Sequence, residues 1–138
     1  VQSTLENLDK RAEVNSLLLT GNCEKAAQAK LDFFSITQYF DFELSAFGEI
    51  SDLREDLAKA AWQKLHQLNN QLHIEDVIVI GDTPHDITCA AAIGARSLIV
   101  TTGSSYTKQE LAAYNPWKII SELPQDSEEF LSIIFSEA

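Results

Sequence analysis

The sequence predicts an α/β fold, with a mainly parallel sheet covered by helices on both faces. Three observations carry this expectation. Apolar runs at 14–20, 77–80 and 97–100 have the length of strands buried on both faces. Segments with helical spacing separate them. Polar turns, Thr20-Gly21-Asn22 and Gly81-Asp82, end the first two runs and lead into the next helical segment.

Taken in order, residues 2–11 read as a short helix with Leu5 and Leu8 on one face. The run 14–20 reads as a strand, and 23–34 as a helix with Ala26, Ala29 or Lys30, and Phe33 at helical spacing. The aromatic stretch 36–47 suggests a loop and a short strand closed by Gly48. Leu57, Ala61, Leu65, Leu68 and Leu72 mark one face of a helix over 53–72. Residues 77–80 form the clearest strand; Thr83 can cap the following helix, Pro84 can occupy its first turn, and Gly94 can stop it. After a strand at 97–100, Thr107 and Glu110 fit a capping box opening a helix to about Tyr114. Residues 118–120 suggest an edge strand, and Asp126 with Glu129 a second cap before a C-terminal helix. Without repeat or linker, residues 1–138 are expected to form a single domain.

Ten basic against twenty-one acidic residues give a net charge of −11, which repels nucleic-acid phosphates. No apolar run reaches the roughly 18 residues of a membrane span. Cys23 and Cys89 are too few for a disulfide framework, so a reducing, cytoplasmic setting is expected. The sequence begins with Val1 and contains no methionine.

In a parallel α/β sheet, ligands bind beyond the carboxyl ends of the strands. Asp82 stands at such an end and Asp86 about one helical turn later, a spacing that lets both carboxylates point into one crevice. Hard oxygen donors of this kind suit magnesium; alternatively, Asp82 caps the helix and Asp86 faces its dipole. Thr20, Gly21 and Asn22 offer a hydroxyl and backbone N–H groups for an anion, or form an ordinary capped turn. Arg54 can bridge phosphate oxygens, or pair on the surface with Asp52, Glu55 or Asp56. His85 reads as solvated, His66 and His73 lack partners at ligand spacing, and Cys89 reads as a small core residue.

Together these stations resemble the haloacid dehalogenase-like (HAD) hydrolases, in particular the phosphoglycolate phosphatase-like branch. Leu17-Leu18-Leu19-Thr20-Gly21-Asn22 looks like the family's second motif, and Asp52-Leu53-Arg54 resembles the third with Arg in place of the usual Lys. Ile80-Gly81-Asp82-Thr83-Pro84-His85-Asp86-Ile87 matches the fourth, acidic motif. The resemblance implies a Rossmann-like three-layer core. It also implies a magnesium-dependent phosphatase working on a small phosphorylated metabolite through an aspartyl-phosphate. By analogy, Thr20 and Arg54 would serve catalysis, Thr20, Gly21, Asn22 and Arg54 would hold phosphate, and Asp82 and Asp86 would hold Mg2+.

One departure stands out: no Asp-x-Asp, the family's first motif, occurs in the sequence. The expectation is that the nucleophile and cap belong to an N-terminal part of the natural protein, and that these 138 residues alone are inactive. Two alternatives stay open. One is a non-catalytic binding or interaction module that kept the site; the other is a phosphomutase or dehalogenase on the same scaffold.

Overall fold

The computed structural model describes residues 2–11 and 14–135. Its centre is a parallel sheet of β1 (Ile78–Gly81), β2 (Arg96–Val100) and β3 (Lys118–Ile120), in the order β1-β2-β3. The register places Ile80 opposite Leu98, and Ile99 opposite Ile119. Around the sheet lie α1 (Gln2–Asp9), α2 (Glu24–Phe33), α3 (Arg54–Leu68), α4 (Pro84–Ile93), α5 (Lys108–Ala112) and α6 (Ser127–Ile134).

Alternation along β2 builds the three layers. Leu98 packs on one face with Leu8 of α1 and Phe130 and Leu131 of α6. Its neighbour Ile99 packs on the other face with Ile87 of α4 and Leu111 of α5. Successive strand residues point to opposite faces, so two adjacent β-branched or apolar residues seed two cores. Both side chains are fully buried. The Rossmann-like α/β arrangement expected from the sequence is the one observed.

Local chemistry explains most boundaries. Thr83 is extended (φ −129°, ψ 160°), Pro84 opens α4, and Gly94 ends it in the left-handed region at φ 76°, where glycine carries no Cβ penalty. Thr107 and Glu110 form the expected capping box at α5: the Glu110 N–H donates to Thr107 Oγ1 at 3.1 Å, and the Thr107 N–H to Glu110 Oε1 at 3.3 Å. Asp126 caps α6, but its carboxylate accepts from the Glu128 N–H rather than pairing with Glu129.

Three expectations need correction. The helix predicted over 53–72 stops at Leu68, because Asn69 turns extended (φ −144°) and its side chain accepts from the Gln71 N–H at 3.1 Å. Such an Asn turn competes with continued helix. The helical spacing of Phe33 with Ala26 does not mark a buried stripe on α2, because Phe33 is 82% exposed. The segment 14–20 forms one parallel bridge, Leu19 to Ala46, rather than a full strand. Its potential partner is folded back on itself: the Ser45 hydroxyl donates to the Asp41 carbonyl at 2.6 Å and the Leu44 N–H to Asp41 Oδ1 at 3.2 Å. Little of 41–46 is therefore left as a straight edge.

Candidate functional site

The site begins at the tip of β1, where Gly81 and Asp82 turn the chain into α4. Asp86, in the first turn of that helix, folds its side chain back over the tip. Its Oδ2 accepts from the Asp82 N–H at 3.0 Å, the Thr83 N–H at 3.0 Å and the Thr83 hydroxyl at 2.9 Å. Helix N-termini carry unpaired N–H groups and a partial positive charge, so a carboxylate is stabilised there. Gly81 is required by this packing: a Cβ at 81 would lie 2.1 Å from Asp86 Cγ. A larger residue could not share the space.

Asp86 is buried, and its second oxygen meets a cation. Arg54 Nη1 lies 2.6 Å from Asp86 Oδ1, with the Arg54 side chain 36% exposed. The two residues head α3 and α4, which pack along each other. A further link joins the same helices, from the Thr88 hydroxyl to Glu55 Oε1 at 3.2 Å. Of the two open readings for Arg54, the surface pairing with Asp52, Glu55 or Asp56 is not the one observed; it pairs with Asp86.

Asp82 behaves differently. Its backbone is held on both sides, the N–H by Asp86 and the carbonyl by the Ser104 hydroxyl at 2.5 Å. Its half-buried carboxylate has no hydrogen-bond partner among the described residues. Of the two motif carboxylates, that of Asp86 accepts four protein donors, three of them on Oδ2, and that of Asp82 accepts none among the described residues.

The Thr20 turn lies between the segment 14–20 and α2. Thr20 Oγ1 accepts from the Asn22 N–H at 3.1 Å, a local turn that places the hydroxyl at the head of α2. Gly48 presses against this turn: its N–H donates to the Asn22 carbonyl at 2.8 Å, and a Cβ at 48 would fall 2.0 Å from the Gly21 carbonyl oxygen. Residues 48–54 then run directly into Arg54. Thr20, Gly21 and Asn22 are thus joined to Arg54 by a short tether. Among the described residues, no hydrogen bond or ion pair connects them directly to Asp82–Asp86.

Gly48 and Ser104, which brace the Thr20 turn and the Asp82 backbone, were not legible in the sequence. Gly48 was read only as the end of a strand, and nothing near Ser104 signalled a bond to the Asp82 backbone. His85 is exposed, in line with a solvated residue. Cys89 is fully buried beneath the site, and its thiol donates to the Asp86 carbonyl at 3.3 Å. Burial, reinforced by the Asp86 charge, pushes the thiol pKa up to about 11 from an ordinary 9.0, which suits a structural rather than a reactive cysteine.

A cavity of about 230 Å³ lies elsewhere, lined by Ile87, Ala95, Arg96 and Trp117 at the opposite end of the strands. Thr20, Gly21, Asn22, Arg54, Asp82 and Asp86 do not line that cavity. Among the described residues, no group of three or more His, Cys, Asp or Glu could hold a metal by itself. No helix among them is long and apolar enough to cross a membrane.

The sequence model of the HAD-hydrolase-like family matches residues 52–125, more than half of the chain and the stretch containing Arg54, Asp82 and Asp86. The chain belongs to the HAD-like hydrolases. No curated protein matches it. Three solved structures share the HAD-like architecture. A candidate phosphatase from Clostridium difficile is 24% identical with a TM-score of 0.76, over 98% of this chain and 59% of its own. A haloacid dehalogenase-like family hydrolase from Streptococcus pneumoniae is 23% identical with a TM-score of 0.69, over 95% and 56%. A candidate beta-phosphoglucomutase from Thermotoga maritima is 18% identical with a TM-score of 0.71, over 97% and 57%. This HAD-like chain therefore spans less than two thirds of the length of each.

Proposed function

We propose that the protein containing this chain is a magnesium-dependent phosphatase of the phosphoglycolate phosphatase-like branch, acting on a small phosphorylated metabolite. The observation that supports it best is the division of labour at the tip of β1. Asp86 holds the loop and Arg54, while the backbone of Asp82 is held and its carboxylate has no hydrogen-bond partner among the described residues.

The donor set fits magnesium. That ion takes one or two carboxylates and completes its shell with water and substrate oxygens, so a full cage of protein ligands is not needed. Asp82 would be the direct ligand. Asp86 has one acceptor position left on Oδ1, which it shares with Arg54, and would support the ion from there. When bound, magnesium would offset the charge that develops on the phosphoryl oxygens.

The chain's own residues do the rest. Arg54 has donors beyond the Nη1 committed to Asp86, and these would bridge phosphate oxygens. Thr20, with Gly21 and Asn22, would hold the phosphate from the opposite wall through hydroxyl and N–H donors. Such donors, fixed before substrate arrives, stabilise charge without reorganising. The attacking carboxylate, which would form the aspartyl-phosphate, is proposed to come from outside these 138 residues, none of which lies in an Asp-x-Asp.

The test uses the complete protein and p-nitrophenyl phosphate. Hydrolysis should require magnesium and should fall by about 10²-fold or more in Asp82→Asn. Hydrolysis that persists in EDTA and in that variant would end the proposal.

A further inference from the structure

We propose that Glu49 is a positioning residue that locks the Thr20–Asn22 turn in register with Arg54; this rests on reading those groups as the two sides of a phosphate site. Glu49 Oε1 accepts the Glu24 N–H at 2.7 Å, so a side chain from a distant loop caps α2. The helix needs such an acceptor for its first N–H groups, because its own N-cap, Cys23, makes no side-chain capping bond. Immediately before it, the Gly48 N–H bonds to Asn22 and the Gly48 backbone sits against Gly21. Two consecutive residues thus fasten one loop to the other.

The fastening reaches Arg54 through a stiff connection. The Leu53 N–H donates to Ser51 Oγ at 3.1 Å, and the Ser51 hydroxyl donates to Asp56 Oδ2 at 2.8 Å, inside the first turn of α3. Behind the latch, Ala46 and Phe47 are buried and anchor the chain. Glu49 itself is exposed, and the bond to Glu24 is its one described engagement. A carboxylate beside an anion-binding turn repels phosphate, so its charge works against the site while its hydrogen bond works for it. That opposition makes the two roles separable.

The experiment compares wild type, Glu49→Ala and Glu49→Gln in the complete protein, titrating inorganic phosphate while following the amide signals of Gly21 and Asn22. Gln can accept the same N–H without the charge. Glu49→Ala should weaken phosphate binding about tenfold, whereas Glu49→Gln should bind within about twofold of wild type or more tightly. KM for p-nitrophenyl phosphate should follow the same pattern, with kcat changing less than about threefold. If Glu49→Ala does not fold, Glu49→Asp, one methylene shorter, takes its place with the same expected direction. Tighter binding in both Ala and Gln variants would overturn the proposal, since charge alone then governs. Phosphate that leaves the Gly21 and Asn22 signals unmoved in wild type would overturn it as well. Wild type that binds phosphate there but hydrolyses no ester would defeat the phosphatase reading and leave the latch intact.

Discussion

Arg54 Nη1 and Asp86 Oδ1 lie 2.6 Å apart and join the first turns of α3 and α4. The pair places a cation beside a carboxylate whose other oxygen is already tied to three donors. Replacing Arg54 by Met keeps the aliphatic stem and removes the charge. Because Arg54 is 36% exposed, the stability loss should be small, about 1 kcal/mol. Hydrolysis by the complete protein should fall far more, by about 10²-fold. Urea unfolding and steady-state kinetics on the same preparation separate the two effects.

Magnesium should raise the melting temperature of the complete protein, because a ligand that binds only the native state stabilises it by mass action. Asp82→Asn should abolish that rise without lowering the melting temperature in EDTA, since the Asp82 side chain makes no described hydrogen bond. Asp86→Asn should lower the melting temperature already in EDTA. It weakens the acceptor of four donors and should cost about 2 kcal/mol even without metal.

Two glycines at the Thr20 turn should respond differently to the same methyl group. A Cβ at Gly48 would fall 2.0 Å from a backbone oxygen, while a Cβ at Gly21 meets nothing within 4 Å. Gly48→Ala should therefore cost about 2 kcal/mol or more, and Gly21→Ala less than about 0.5 kcal/mol. Chemical denaturation of both variants provides the check.

Cys89 gives the fold a pH dependence at the alkaline end. Its thiol titrates at about 11 when folded against 9.0 ordinarily, so above pH 9 the unfolded chain releases a proton that the native state keeps. The contribution is complete below pH 9, declines as pH rises to about 11, and is then gone. In Cys89→Ala this decline is absent, so the deficit of the variant relative to wild type should narrow between pH 9 and 11. Urea midpoints measured across that range report it.

Legibility followed the locality of the cause. The β1–α4 unit was readable because its strand, glycine, cap, proline and left-handed stop are consecutive and act through short-range rules. Arg54 was readable as a candidate, but its partner was not: Asp86 lies 32 residues away, and nearer acids competed for it on paper. Glu49 on the head of α2 bridges 25 residues and leaves no periodic trace in the sequence. The expected strand over 14–20 was overstated for a related reason. Apolar composition shows that a segment can be extended, but the bend at Asp41–Ser45 decides how much of a neighbour it finds.

The outer side of β1 has one more consequence. Among the described residues, in the order β1-β2-β3, this strand pairs along one flank, and Ile80 remains 46% exposed. A bare apolar ladder invites recruitment of another copy, which turns a folding unit into a seed for polymers. The −11 charge keeps such copies apart in dilute buffer. Adding salt shortens the reach of that repulsion and leaves the hydrogen-bonding flank untouched. Purified by itself, the 138-residue polypeptide should cloud fastest in concentrated brine.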